Sequence, residues 1–287
     1  MRHLPALLLA ALLAARPLSA AVPKVVTDFA PVQSLAAKVM GDLGTPEALV
    51  TGGADPHDYQ LRPSQASALA TADLVIWVGP EMTPWLARIL DEGAGRQHLD
   101  LLADPATARR TFADTEAVDP HAWLDPEIAK VWVGLIRDAL IAADTEHAAT
   151  YRANAAQAEV GLDALETDLR RTLAPVRAPV VVGHDAFGYF AARFGLPIAM
   201  SVETGDAAEP GARHLHDIRA LLEAGKATCL FPEAGQDPAR AALLVDGTPA
   251  RLGPPLDPEG LTLTTGAGLY DDLLRGLAKA IVSCAAG

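Results

Sequence analysis

The sequence predicts an α/β protein of two lobes, each with a parallel sheet flanked by helices, joined by one long rigid helix. Three observations carry this expectation. Leu74-Val-Ile-Trp-Val78 is a continuous apolar run stopped by Gly79-Pro80, the pattern of a strand buried on both faces of a parallel sheet. Short β-branched or apolar runs alternate with helical patterns before residue 100 and again after residue 179, as strand–helix–strand units require. Between them, Thr145 to Leu173 is rich in Ala, Glu, Leu and Arg and free of proline. That segment predicts a rod of about 28 residues, roughly 40 Å long at 1.5 Å per residue.

The chain opens on Met1-Arg2-His3, an apolar run from Leu4 to Ala15, and Arg16-Pro-Leu-Ser-Ala-Ala21. A positive start, an apolar stretch and a small-residue end make a secretory signal, with cleavage expected after Ala20 or Ala21. A membrane anchor is the alternative, but the run is too short to span a bilayer and Arg16 interrupts it. Lys24 to Asp28 then predicts a strand, followed by a helix through Leu35, Ala36 and Val39 that Gly41 and Gly44 stop. Ala48 to Val50 is a second strand, Pro63-Ser64 starts a helix, Leu74 to Val78 is the third strand and Pro84 to Leu90 a helix. Ala103 to Val118 is polar and aperiodic, a loop. Asp125 is a good N-cap and Pro126 a good first helical residue for Ile128, Val131, Trp132, Leu135, Ile136 and Leu140.

Pro175 to Pro179 breaks the long helix, and Val180 to Val182 begins the second alternation. A helix from Asp185 to Phe194 ends at Gly195, a strand runs from Ile198 to Val202, a helix from Pro210 to Ala224, and a strand from Thr228 to Phe231. Gly247 to Gly260 is loop, and Tyr270 to Cys284 a last amphipathic helix. The expected organisation is a signal segment at 1–21, an N-terminal lobe at 22–143, a connecting helix at 144–174 and a C-terminal lobe at 175–287.

A hydrophobic content of 50% is ample for buried cores, and after Ala21 no stretch approaches the ~20 apolar residues of a membrane helix. The net charge of −13 grows more negative once Arg2 and Arg16 leave, which argues against nucleic acid or anionic lipid as partners. Cys229 and Cys284 are the two cysteines; in an exported chain a disulfide is the simplest reading, and two buried free thiols the alternative.

Three Gly- or Pro-rich loops each carry one histidine: Thr51 to Leu61 carries His57, Asp119-Pro-His121-Ala-Trp-Leu-Asp-Pro126 carries His121, and Gly183-His184-Asp-Ala-Phe-Gly188 carries His184. Neutral imidazole is the commonest protein ligand for transition metals, so the three are expected to converge on one ion. Asp58 and Asp185 follow a histidine directly, as a helix cap or an outer hydrogen-bonding partner would. Trp123 and Phe187 are expected to pack around the site. His98, His147, His214 and His216 are expected at the surface; the last two are two residues apart on a helix and face different directions.

These blocks resemble, in order and separation, the zinc-binding periplasmic components of ABC transporters, the ZnuA-like members of the cluster A-I solute-binding proteins. Glu209-Pro-Gly-Ala212 and Leu256-Asp-Pro-Glu-Gly260 are similar to further blocks of that family, and Cys229 and Cys284 to its disulfide positions. The resemblance implies that His57, His121 and His184 ligate Zn²⁺ in the cleft between lobes, and that the chain is a monomeric periplasmic binding protein, not an enzyme, delivering zinc to an ABC permease. Manganese-type members carry a carboxylate at the position of His184 and an aspartate in the C-terminal block, whereas Leu261 to Gly268 has no acid. An all-imidazole set suits zinc over manganese, and its affinity should fall as pH drops through roughly 6.5, where free imidazole protonates. A fourth ligand is expected from water or from Glu233 or Asp237. Two departures stand out: no His-rich loop precedes His121, and Glu233-Ala-Gly-Gln236 replaces the usual Glu-Pro-Gln. A zinc hydrolase is the rival reading, since three histidines and a water also describe a catalytic zinc, but no H-E-x-x-H is present. A manganese-binding homologue and a surface adhesin are the remaining alternatives.

Overall fold

The computed structural model describes residues 21–286 except 52, 94, 96, 114 and 206–209. The signal segment, but for Ala21, and Glu209 of the Glu209–Ala212 block lie outside the described residues. The first half contains β1 (Val25–Thr27), α1 (Ala30–Met40), β2 (Glu47–Ala48), α2 (Pro63–Thr71), β3 (Leu74–Trp77), α3 (Pro84–Asp91) and β4 (His98–Asp100). Its four strands are parallel in the order β2-β1-β3-β4. A short hairpin of β5 (Arg110–Thr111) and β6 (Val118–Asp119) leads to α4 (Pro126–Ala143) and α5 (Ala148–Leu173). The second half follows as β7 (Val180–Val182), α6 (Gly188–Phe194), β8 (Ile198–Ser201), α7 (Ala212–Glu223), β9 (Cys229–Phe231), α8 (Ala239–Val245), β10 (Arg251–Leu252) and α9 (Leu269–Ala285). Its sheet is again parallel, in the order β10-β9-β7-β8.

Numbered from its own first strand, each sheet has the order 2-1-3-4, so chain direction across the sheet reverses between its first and third strands. In open parallel sheets the crevice at that reversal, outside the carboxyl ends of the strands, is where ligands bind. The second sheet places its reversal between β7 and β9, whose following residues include His184 and Glu233. In the first sheet, Asp28 closes the corresponding point by accepting the Val78 N–H at 2.8 Å and its neighbour Phe29 N–H at 2.9 Å.

Asp28 is completely buried, and burial lifts its carboxyl to about 7 although the Val78 and Phe29 hydrogen bonds oppose the rise. A carboxyl raised in the folded state contributes stability that is full below its unfolded pKa of about 4 and is lost as pH rises through 7. Relative to Asp28→Asn, the unaltered chain is therefore expected to lose stability between those pH values, by about 1.4 kcal/mol for each unit of displacement. Urea unfolding of both proteins across that range measures it, and a difference that stays flat with pH would contradict the account.

The predicted elements form largely where expected, with informative differences. The ladder at β2 continues past Ala48, since Leu49 and Val50 donate to Thr27 and Asp28 carbonyls at 2.8 Å. The segment Ala103 to Val118, expected as loop, contains the β5–β6 hairpin, whose strands are clamped from outside: Arg110 N–H donates to the Tyr189 hydroxyl at 2.8 Å, and that hydroxyl donates to the Asp119 carbonyl at 3.1 Å. β4, α8 and β10 also lie outside the expected elements; β10 has two exposed residues and exists through its pairing with β9. α6 starts at Gly188 rather than Asp185, because His184 to Phe187 form a turn.

α5 holds 26 residues, about 39 Å of helix. Tyr151, Ala155, Ala158, Leu162, Leu165, Leu169 and Leu173 recur at three- and four-residue spacing as its one buried stripe. That stripe packs in a core shared with α1, α4 and α9 and reaching β7 and β9, while a smaller core around Val181, Ile218, Leu222 and Leu230 lies on the other face of the second sheet. α9, although last in the chain, lies against α1 and α5: Lys38 pairs with Asp271 at 2.9 Å and Ser34 Oγ accepts the Tyr270 N–H at 3.0 Å. A Cys229–Cys284 disulfide ties the end of α9 to the start of β9, Cα to Cα 6.2 Å. Among the described residues no helix is long and apolar enough to cross a membrane.

Candidate metal centre

His57, His121 and His184 meet. One ring nitrogen from each lies within 4.8 Å of the others, and the ring centroids are 5.6 Å (His57–His121), 5.9 Å (His57–His184) and 4.9 Å (His121–His184) apart. His121 and His184 are buried at 0% and 2% exposure, while His57 is half-buried at the mouth.

Each ring is set by its local sequence. Asp119 stands two residues before His121 and turns its Oδ1 back to accept both the His121 backbone N–H, at 2.9 Å, and ring Nδ1, at 2.8 Å. An ionised carboxylate only accepts, so the proton sits on Nδ1 and the ring's lone pair is on Nε2. His184, in the turn after β7, sets its ring Nδ1 3.2 Å from a carboxylate oxygen of Glu233, after β9. His57 is placed by its loop: Asp55 Oδ1 accepts the His57 N–H at 2.8 Å, and Trp85 Nε1 donates to the Pro56 carbonyl at 2.8 Å.

A glycine is required at two contacts behind these rings. A Cβ on Gly183 would lie 2.9 Å from the Glu233 backbone nitrogen, and one on Gly188 2.7 Å from Asp119 Oδ2. Both glycines let the carboxylate-bearing segments close on the histidines.

Behind Glu233 the polar network continues. Gln236 Nε2 donates to Glu233 Oε2 at 3.3 Å and Glu203 Oε2 at 2.9 Å, and Arg240 stands 3.7 Å from Glu203. Burial raises the Glu203 carboxyl, the Gln236 hydrogen bond opposes this, and the charge of Glu233 adds to it. Thus Glu233-Ala-Gly-Gln236, the departure from Glu-Pro-Gln, still brings a glutamine amide onto its glutamate. Asp237 is exposed and accepts the Ala239 N–H at 2.9 Å.

Glu259 stands beside His57, with Oε1 3.8 Å from Nε2 and 5% exposure, and Asp55 joins the pair with a carboxylate oxygen within 4.8 Å of both. Glu259 falls in the Leu256–Gly260 block, within the segment expected to be loop. Asp119 and Glu259 received no role from sequence reasoning. Asp119 had a readable signal, an acid two residues before a histidine across a proline; the carboxylates found at the Nδ1 atoms of His121 and His184 are Asp119 and Glu233, and Asp58 is exposed.

Trp123 packs against the site with its ring 5.2 Å from that of His121 and tilted 53° to it, whereas Phe187 is buried against Phe190, 6.4 Å away. His98 and His216 are exposed. His147 bonds Asp144 at 2.6 Å before α5, and His214 bonds the Ser201 carbonyl at 2.8 Å, so both of these are held by ordinary structural contacts.

The family model for "Zinc-uptake complex component A periplasmic" (ZnuA) matches residues 25–284. The chain belongs to this family. It is 43% identical to the high-affinity zinc uptake system protein ZnuA of Paracoccus denitrificans, over 94% of both chains, and 33% identical to that of Yersinia pestis, over 97% of this chain and 96% of the other. Among solved structures, a zinc-bound ZnuA deletion mutant shares the fold at TM-score 0.80 and 24% identity, covering 92% of this chain and 99% of that one. The family is one of periplasmic zinc-uptake components, in accord with the three-histidine constellation above.

Proposed function

We propose that this chain captures Zn²⁺ in the periplasm on His57, His121 and His184 and delivers it to the membrane permease of an ABC transporter. The observation that carries this reading is the convergence of three imidazole nitrogens within 4.8 Å, two of them on rings whose Nδ1 faces a buried carboxylate. Such pairing fixes the tautomer and strengthens the imidazole as a donor. Nitrogen ligands of this kind suit zinc over manganese, which prefers oxygen.

The chain is read as an exported monomer cleaved near Ala20 or Ala21, binding no nucleic acid and catalysing no reaction. The lobes are assigned as 22–143 and 175–287 with 144–174 between them, supported by one complete four-stranded sheet on each side of α5. Because α5 is a continuous, proline-free helix packed on elements of both halves, loading and release are assigned to loop movement around a stiff frame. Against hydrolysis, the two acids beside the buried histidines, Asp119 and Glu233, are engaged by their Nδ1 atoms and hold them in place.

The test is metal content and selectivity of the mature protein purified from the periplasm. About one equivalent of zinc, retained in competition with a manganese excess, is the expected result for a nitrogen-rich site. Tighter binding of manganese than of zinc would refute it.

A further inference from the structure

We propose that Tyr189 and Arg193, one turn apart on α6, are positioning residues that clamp the His121 segment against His184 and so set the spacing of the two buried histidines. This rests on the three-histidine reading above and deepens it. α6 starts at Gly188, just after the turn that carries His184, so a segment gripped by α6 is fixed relative to that ring. Residues four apart share one face of a helix. From that face Tyr189 and Arg193 reach the two ends of the segment that carries His121. At its start, the Tyr189 hydroxyl donates to the Asp119 carbonyl at 3.1 Å, and Asp119 is the residue whose carboxylate faces His121 Nδ1. At its end, the Arg193 guanidinium donates to the Asp125 carboxylate with two arms, Nε to Oδ1 at 2.7 Å and Nη2 to Oδ2 at 2.9 Å. A two-armed pair of this kind fixes orientation as well as distance.

The Arg193–Asp125 pair differs from an ordinary surface ion pair, which contributes little. Asp125 is buried, and its Oδ1 also accepts the Glu127 N–H at 2.9 Å as the N-cap of α4, so Arg193 grips the point from which α4 starts. Arg193 is half-buried and braced by Glu166 of α5, 3.9 Å from its Nη1. Tyr189 is buried, and its hydroxyl accepts the Arg110 N–H while donating to Asp119, so the ring is held from both sides.

The middle of the segment is held from the same side. Trp123 Nε1 donates to the Pro258 carbonyl at 2.8 Å, and the Tyr270 hydroxyl donates to the Trp123 carbonyl at 2.6 Å. A segment that belongs by sequence to the first half of the chain is therefore gripped at its start, middle and end by the second half. The His121 and His184 rings stand 4.9 Å apart, the shortest of the three ring separations, and they come from different halves. A metal site needs its donors held to within about half an ångström, and donors ordered before the ion arrives spare it the cost of ordering them. Without the clamp, the His121 segment is free to shift by more than that relative to His184.

Chelator-competition titrations with zinc decide it, run at a temperature at which apo-protein melting curves show every variant folded. Arg193→Gln should bind zinc about tenfold more weakly, the loss typical when an outer partner of a ligand is removed. Arg193→Lys keeps the charge without the two-armed geometry and should recover part of that loss. Tyr189→Phe, which removes the bond to the Asp119 carbonyl, should weaken binding as well. A double-mutant cycle separates positioning from mere stability: in a His121→Ala background, read with a weaker chelator, Arg193→Gln should add no further loss, because the clamp acts through His121. Arg193→Gln affinity equal to that of the unaltered chain would overturn the proposal, and so would the same tenfold loss with His121 already gone. Zinc bound by His121→Ala as tightly as by the unaltered chain would instead overturn the three-histidine reading. Loss in His121→Ala with none in Arg193→Gln sinks the clamp alone.

Discussion

His121→Ala is expected to lower zinc affinity by at least about a hundredfold, since loss of an outer hydrogen-bonding partner alone typically costs ten- to a hundredfold. His121 has no exposed surface, sits 4.9 Å from His184 ring to ring, and is held at Nδ1 and at its backbone N–H by the same Asp119 oxygen. Truncation removes a donor that no neighbouring group can replace in position, and leaves Asp119 without the imidazole it orients. His98→Ala, at the exposed first residue of β4, should leave affinity unchanged. Chelator-competition titration near neutral pH compares the two; equal affinities would remove the basis for the site.

Reducing the Cys229–Cys284 bond, or replacing both cysteines by serine, is expected to destabilise the protein by about 4 kcal/mol on the chain-entropy account of a 55-residue separation. For a chain of this size that corresponds to a melting temperature roughly 10 °C lower. The bond joins β9, whose exit carries Glu233, to α9, which packs on α1 and α5, so its loss frees a helix that otherwise fastens the chain end to the first half. Calorimetry with and without reductant measures the effect. No shift would mean that α9 is held by its apolar face alone, through Leu273, Leu274, Leu277 and Ile281.

Much of this protein is legible in local sequence. Both runs of alternating strand and helix, the long α5 and the αL stop of α6 at Gly195 follow from apolar periodicity, proline placement and glycine conformation, which act over a few residues. Elements that local signals do not mark, β4, α8, β10 and the β5–β6 hairpin, are two to seven residues long and take their order from neighbours: β10 from β9, the hairpin from Tyr189.

The same division runs through the metal centre. Histidines in three turn-rich loops, each beside a strand end or a helix start, were enough to nominate His57, His121 and His184, because the residue type and its loop setting are encoded where the residue stands. Their meeting depends on two sheets of the order 2-1-3-4 brought together by α4, α5 and α9, contacts made between residues far apart in the chain. Glu233 reaches His184 across 49 positions, and Glu259 reaches His57 from the opposite end of the chain. Local chemistry chose the donors; long-range packing chose which carboxylate faces which ring, because a side chain's partner across a cleft is decided by where the other half of the chain comes to rest.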